Sequence, residues 1–224
     1  MQLDFSSGKR QTASNYMKQK RLRGFMSKDT YSCFAELEQA ESGNFRIIKS
    51  KKHSAYAIIA PHGGKIEPGT AEIAESIAGT ALSLYIFKAT SKSKPNITLH
   101  ITSTNFDEPE CLDLLKDTET ALAIHGAKDP DTDPKERVWV GGNLHNEFKP
   151  HLERELSPLN LFVGINSDFT GTSPKNICNR GTSYQGMQLE LSRALRDRLK
   201  TDATFLSKFS NAVRTAMKKT YPID

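Results

Sequence analysis

YAIIAPHGGKIEPGT, residues 56–70, decides the reading of this chain. Five largely apolar residues, Tyr56–Ala60, run into a proline, a histidine and two glycines, and Glu67 follows His62 by five positions. The apolar run has the length and composition of a buried strand, and TAEIAESIAG behind it has the spacing of a helix. Thr70 is placed to cap that helix and Gly79 to stop it. A strand, a glycine-rich turn and a helix in that order begin an α/β unit.

Outward from this stretch the pattern repeats. FRII (45–48), LSLYIF (82–87), ITLHI (97–101), TALAI (120–124), RVWV (137–140), LFVGI (161–165) and QGMQLEL (185–191) read as strands. EPECLDLLKD, NEFKPHLEREL, a segment from Ser192 and TFLSKFSNAVRTAMKK read as helices, with Pro109 in a first turn where proline is tolerated. Phe205, Phe209, Val213 and Met217 make a four-spaced core stripe on the last helix. The expected fold is α/β: one domain, residues 28–224, with a mixed β-sheet flanked by helices on both faces. The loops at 126–136 and 166–184 are long and polar, as functional loops often are.

The chain of 224 residues carries a net charge of +5. Residues 1–27 hold six Lys or Arg against Asp4 alone, so the rest is neutral. This tail reads as a flexible basic lead-in, and nucleic acid is a possible partner only through it. No apolar run approaches the roughly 20 residues that span a bilayer, and the first residues lack a signal core. A cytoplasmic protein, released if at all by lysis, and a monomer by default are the expectations. Cys33, Cys111 and Cys178 are too few and too scattered for a disulfide framework or a cysteine-based zinc knuckle.

His62 and His125 each leave an apolar strand and meet glycine at once. Ligands of open α/β sheets bind beyond the carboxyl ends of the strands. Glu190, in MQLEL, shares a strand face with Gln188. A catalytic zinc commonly takes two histidines and one carboxylate and leaves a position for water. His62, Glu67 and His125 could supply those ligands, one Zn²⁺ per chain, with Glu190 beside them as general base. The plainer alternative is a set of polar groups hydrogen-bonded at strand ends. His53, His100, His145 and His151 read as structural or surface residues. Neither a P-loop nor a Gly-x-Ser-x-Gly elbow is present.

APHGGKIEPGTAEIAESIAG, ALAIHGA, VWVGGN, NICNRG and GMQLELSRALR, taken together and in order, resemble the phage-type poly-γ-glutamate hydrolase family, whose bacterial members are often labelled phage-related replication proteins. The resemblance covers roughly residues 28–200. It implies a zinc carboxypeptidase-like fold, zinc on His62, Glu67 and His125, and Glu190 as the catalytic glutamate. The His-x4-Glu spacing differs from the His-x-x-Glu of zinc carboxypeptidases at large, so exopeptidase specificity is not implied. The implied substrate is a polyanion, a γ-linked glutamate polymer with a carboxylate on every unit. Arg180 is the first choice to hold those carboxylates, since arginine offers a two-pronged donor. Lys65, Lys128, Lys175 and Arg137 follow as cations, and Asn143 and Asn179 as hydrogen-bonding groups. Two rival readings are a nucleic-acid-binding protein that uses its tail and a zinc amidase acting on cell-wall γ-glutamyl peptides.

Overall fold

The computed structural model describes residues 29–93 and 95–223. The basic segment 1–27 lies outside them, and so do the expectations of flexibility and nucleic-acid contact placed on it. Seven strands form one mixed sheet: β1 (Phe45–Ser50), β2 (Tyr56–Gly64), β3 (Ser83–Ala89), β4 (Thr120–Gly126), β5 (Arg137–Gly141), β6 (Phe162–Gly164) and β7 (Met187–Leu191), in the order β1-β3-β2-β4-β7-β5-β6. β3, β2, β4 and β7 run parallel, β5 is antiparallel to β7, and β1 is antiparallel to β3. β2, β4 and β7 are buried along nearly their whole length, as strands covered on both faces must be.

Six α-helices are among the described residues: α1 (Phe34–Glu41), α2 (Thr70–Ala78), α3 (Pro109–Lys116), α4 (His145–Leu156), α5 (Arg193–Thr201) and α6 (Ala203–Thr220). Even-numbered side chains of β2 (Ile58, Ala60) join Leu122, Ile124, Leu189 and Leu191 in one apolar layer, which α2, α4, α5 and α6 cover. Ala57, Ile59, Ala121 and Ala123 face the other layer with Phe34, Leu37, Cys111 and Leu114, so α1 and α3 cover that side. The core stripe of Phe205, Phe209, Val213 and Met217 packs as expected. None of the described helices is long and apolar enough to cross a membrane.

Three local readings need correction. ITLHI is not a strand: Asn96–Leu99 is a single 3₁₀ turn, and His100 follows it in extended backbone. The β-branched residues suggested a strand, but the segment serves as an outer strip over the second layer, with Leu99 and Ile101 buried. α1 went unread because its polar, acidic sequence buries little beyond Phe34 and Leu37. Thr70 does not cap α2. It is the helix's first residue, and its hydroxyl donates to the Glu67 carbonyl at 2.8 Å.

The connections place the site. α2, between β2 and β3, lies on one face; α3, between β3 and β4, lies on the other. The chain therefore turns in opposite directions from the adjacent strands β2 and β4, and this is the topological switch point where such sheets bind ligands. β2 carries a further irregularity. Ala60 pairs with Ile86 and Gly63 with Lys88, so β2 spends three steps where β3 spends two. This bulge inserts one residue at Pro61–His62. Simple alternation would put His62 with Ile58 and Ala60; the bulge turns it to the opposite face, toward Phe106 and His125.

Candidate metal centre

His62 leaves β2 at the bulge, and Gly63 and Gly64 carry the chain past β3. Gly64 has φ +71°, and a Cβ there would meet the Ala89 carbonyl at 2.3 Å, so only glycine fits. The turn then closes on itself: the Glu67 N–H donates to the His62 carbonyl at 3.0 Å. That bond explains the five-residue spacing, because it brings the Glu67 carboxylate back beside the imidazole. His125 ends β4, and Glu190 on β7 is its direct partner across the strand pair.

The donor atoms of His62, Glu67 and His125 lie within 4.8 Å of one another. Glu67 Oε1 is 3.0 Å from His62 Nδ1, and the two Nδ1 atoms are 3.1 Å apart. Glu67 Oε2 accepts the Gly126 N–H at 2.8 Å and lies 3.8 Å from His125 Nδ1. The Ile101 carbonyl, 2.8 Å from His62 Nε2, can only accept. Nε2 therefore carries the proton, and in the neutral ring Nδ1 presents a lone pair. His62, Glu67 and His125 thus form a donor set that could hold a metal ion. A tetrahedral zinc with bonds of about 2.0–2.1 Å sets its ligand atoms about 3.3 Å apart; His62 Nδ1 is near that distance from both His125 Nδ1, at 3.1 Å, and Glu67 Oε1, at 3.0 Å, while the 3.8 Å approach to His125 is made by the other carboxylate oxygen, Oε2.

Burial would push the Glu67 carboxyl up, but the imidazoles of His62 and His125 hold it well below the usual carboxylate range. Burial likewise opposes charge on His125, and the carboxylates of Glu190 and Glu67 more than offset it. Glu190 is the contrast. It is only 8% exposed, and burial lifts its carboxyl to about 7, against the pull of His125 and Arg196. Gln188 Nε2 donates to Glu190 Oε1 at 3.3 Å and to the Phe169 carbonyl at 3.1 Å. Trp139 faces Glu190 across the β5–β7 pair, with the Phe169 ring 6.4 Å beyond it. Two carboxylates on one sheet end are thus driven apart, one toward permanent charge and one toward reversible protonation near neutrality.

Residues 31–221 match the poly-gamma-glutamate hydrolase family. The chain belongs to that family. It is 34% identical to the SPbeta prophage-derived protein YoqZ of Bacillus subtilis over 171 residues, which is 75% of this chain and 60% of that one. The match thus spans about three fifths of YoqZ's length. A solved structure of a bacteriophage poly-gamma-glutamate hydrolase superimposes with a TM-score of 0.78 at 31% identity, covering 88% of this chain and all of that one. The zinc-free form of YndL superimposes with a TM-score of 0.76 at 28% identity, over 87% of this chain and all of that one. The chain therefore has the zinc carboxypeptidase-like, mixed-sheet architecture expected from its sequence.

The remaining candidates are placed differently. Lys65 and Lys128 are exposed on the turns that follow β2 and β4. Arg180 is exposed, but residues just after it bond to Thr118 and Glu119, at the end of β4 away from His125. The Cys111 thiol in α3 feels its charge. Arg137 is committed to the Thr132, Asp133 and Pro134 carbonyls and lies over the Phe162 ring. Lys175 is exposed within the long loop. Asn143 donates its side-chain amide to the Tyr184 carbonyl. Asn179 is wholly buried. It donates to the Gly171 and Ser173 carbonyls and accepts the Asn143 N–H. Asn179→Ala is expected to cost about 2–3 kcal/mol in chemical unfolding by stranding these partners.

Arg196 escaped the sequence reading. It is 4% exposed and donates to the carbonyls of Leu191, Pro68 and Ala127. It ties the Glu67 turn to the ends of β4 and β7, and its charge offsets Glu67. Gly126 has no side chain because the guanidinium lies where one would stand, 2.6 Å from an added Cβ. His100, read as structural, stacks on His62 with ring centroids 4.1 Å apart.

Proposed function

We propose that this protein is a zinc-dependent hydrolase of the γ-glutamyl amide bonds of poly-γ-glutamate, holding one zinc on His62, Glu67 and His125. The observation that carries this reading is the convergence of those three donors at the switch point, with the Glu190 carboxyl beside them, in a chain of this family. The metal would polarise the scissile carbonyl and lower the pKa of an attacking water to roughly 7.

Glu190 supplies the proton traffic. Ionised, it takes the proton of the attacking water at a carboxylate oxygen. As the C–N bond breaks it gives that proton to the leaving amine nitrogen, and the carboxylate is restored. In the metal-free site burial already lifts its pKa to about 7, as befits a carboxyl that both accepts and returns a proton. The Gln188 amide keeps Oε1 turned in place, and Trp139 with Phe169 walls the site against bulk water. Lys65 and Lys128, on the rims of the two ligand-bearing turns, are assigned to the carboxylates flanking the cleaved bond. Arg180 is assigned to a more distant unit of the polymer, and Asn143 and Asn179 to shaping the loop that borders it.

The test is the length of poly-γ-glutamate, followed by gel filtration, after exposure to protein carrying one equivalent of zinc. Shortening that stops on chelation and returns with zinc is expected. Intact polymer in the presence of zinc-loaded protein overturns the assignment.

A further inference from the structure

We propose that the segment His100–Ser103 is a positioning strap that holds both metal-binding imidazoles from behind, and that Asp29 pins it. This rests on the metal reading above and extends it to residues that touch no metal. The strap meets His62 twice. The Ile101 carbonyl accepts from Nε2 at 2.8 Å, and the His100 ring lies against the imidazole face at 4.1 Å. It meets His125 once, through Ser103 Oγ, 3.3 Å from Nε2. Within four residues of chain, the outer nitrogen of each histidine finds its partner, and each Nδ1 is left facing the centre.

The strap has little regular structure to hold it, so its own fastening matters. Leu99 and Ile101 are buried in the second layer. The Ser103 carbonyl accepts the Ile177 N–H at 2.9 Å, which joins the strap to the loop before β7. Asp29 spans it: Oδ2 accepts the Thr102 N–H at 2.7 Å, and Oδ1 sits 2.9 Å from His100 Nδ1. One carboxylate thus fixes the residues on both sides of the Ile101 carbonyl. Such outer partners orient metal ligands, and their loss typically weakens metal binding about 10- to 100-fold.

The test measures zinc affinity by competition with a chromophoric chelator, together with the visible spectrum of the cobalt-substituted protein. The proteins are wild type, Asp29→Ala, Ser103→Ala and Ser103→Thr. Asp29→Ala and Ser103→Ala are each expected to weaken zinc binding by about tenfold or more and to alter the cobalt bands. Ser103→Thr, which keeps the hydroxyl, restores both. The melting temperature of metal-free Ser103→Ala matches that of metal-free wild type, which separates positioning from general destabilisation. If Asp29→Ala does not fold, the two Ser103 variants decide. Wild-type affinity and spectrum in Ser103→Ala overturn the strap while leaving the metal site standing. A wild type that binds no zinc overturns the metal reading, and the strap falls with it.

Discussion

Glu190→Gln is expected to keep about one zinc per chain and to lose about 10³-fold in the rate of polymer hydrolysis. Proton transfer by a positioned group contributes typically 10²–10⁴-fold, and the amide can neither take nor give the proton. Metal content measured beside initial rates checks it; an active variant would remove Glu190 from the chemistry. The same substitution has a signature without metal. The folded-state carboxyl sits at about 7 against an ordinary 4.5. A raised acid favours folding only below its unfolded value, and that contribution is lost as pH rises from 4.5 through 7. Metal-free Glu190→Gln escapes this loss. Above pH 7 it should be more stable than metal-free wild type by up to about 3 kcal/mol, converging with it near pH 4.

His62→Ala is expected to abolish zinc retention and hydrolysis together, because it removes the donor that faces both other ligands at 3.0 and 3.1 Å. Thermal unfolding reads the same event. Wild type at zinc about 1,000-fold above Kd gains about 4 kcal/mol over its chelated form, whereas His62→Ala melts at one temperature with or without zinc. A metal-dependent melting point in His62→Ala would move the site elsewhere.

The strands and the main helices were legible because each buries a periodic apolar face. β2, β4 and β7 announce themselves as runs such as YAIIA and TALAI, and α6 by its four-spaced stripe. The three converging donors were legible because they sit where strands meet glycine. What stayed hidden is long-range. The pairing of Asp29 with Thr102, separated by 73 residues, leaves no mark on local spacing. Neither does the grip of Arg196 on Pro68 across 128 residues. Asn179 looked like a substrate ligand because polar loop residues usually reach outward, and only the fold reveals that its amide is spent inside. Arg180 drew attention through chemistry alone, since no pattern in the sequence says toward which end of a strand a loop arginine is carried.

The extra residue at Pro61–His62 makes room for a proline without moving the histidine to another face. With β2 one residue shorter, the pairings from Tyr56 to Ala60 and at Gly63 and Gly64 lie on either side of the deletion and can persist. His62 would then follow Ala60 directly, opposite Phe87, and alternation alone would turn it to the second layer, the face it already occupies. Removing Pro61 should therefore leave a folded sheet that still presents the histidine toward the site. What the insertion secures is a proline inside a strand, a residue that a regular ladder excludes and a bulge tolerates.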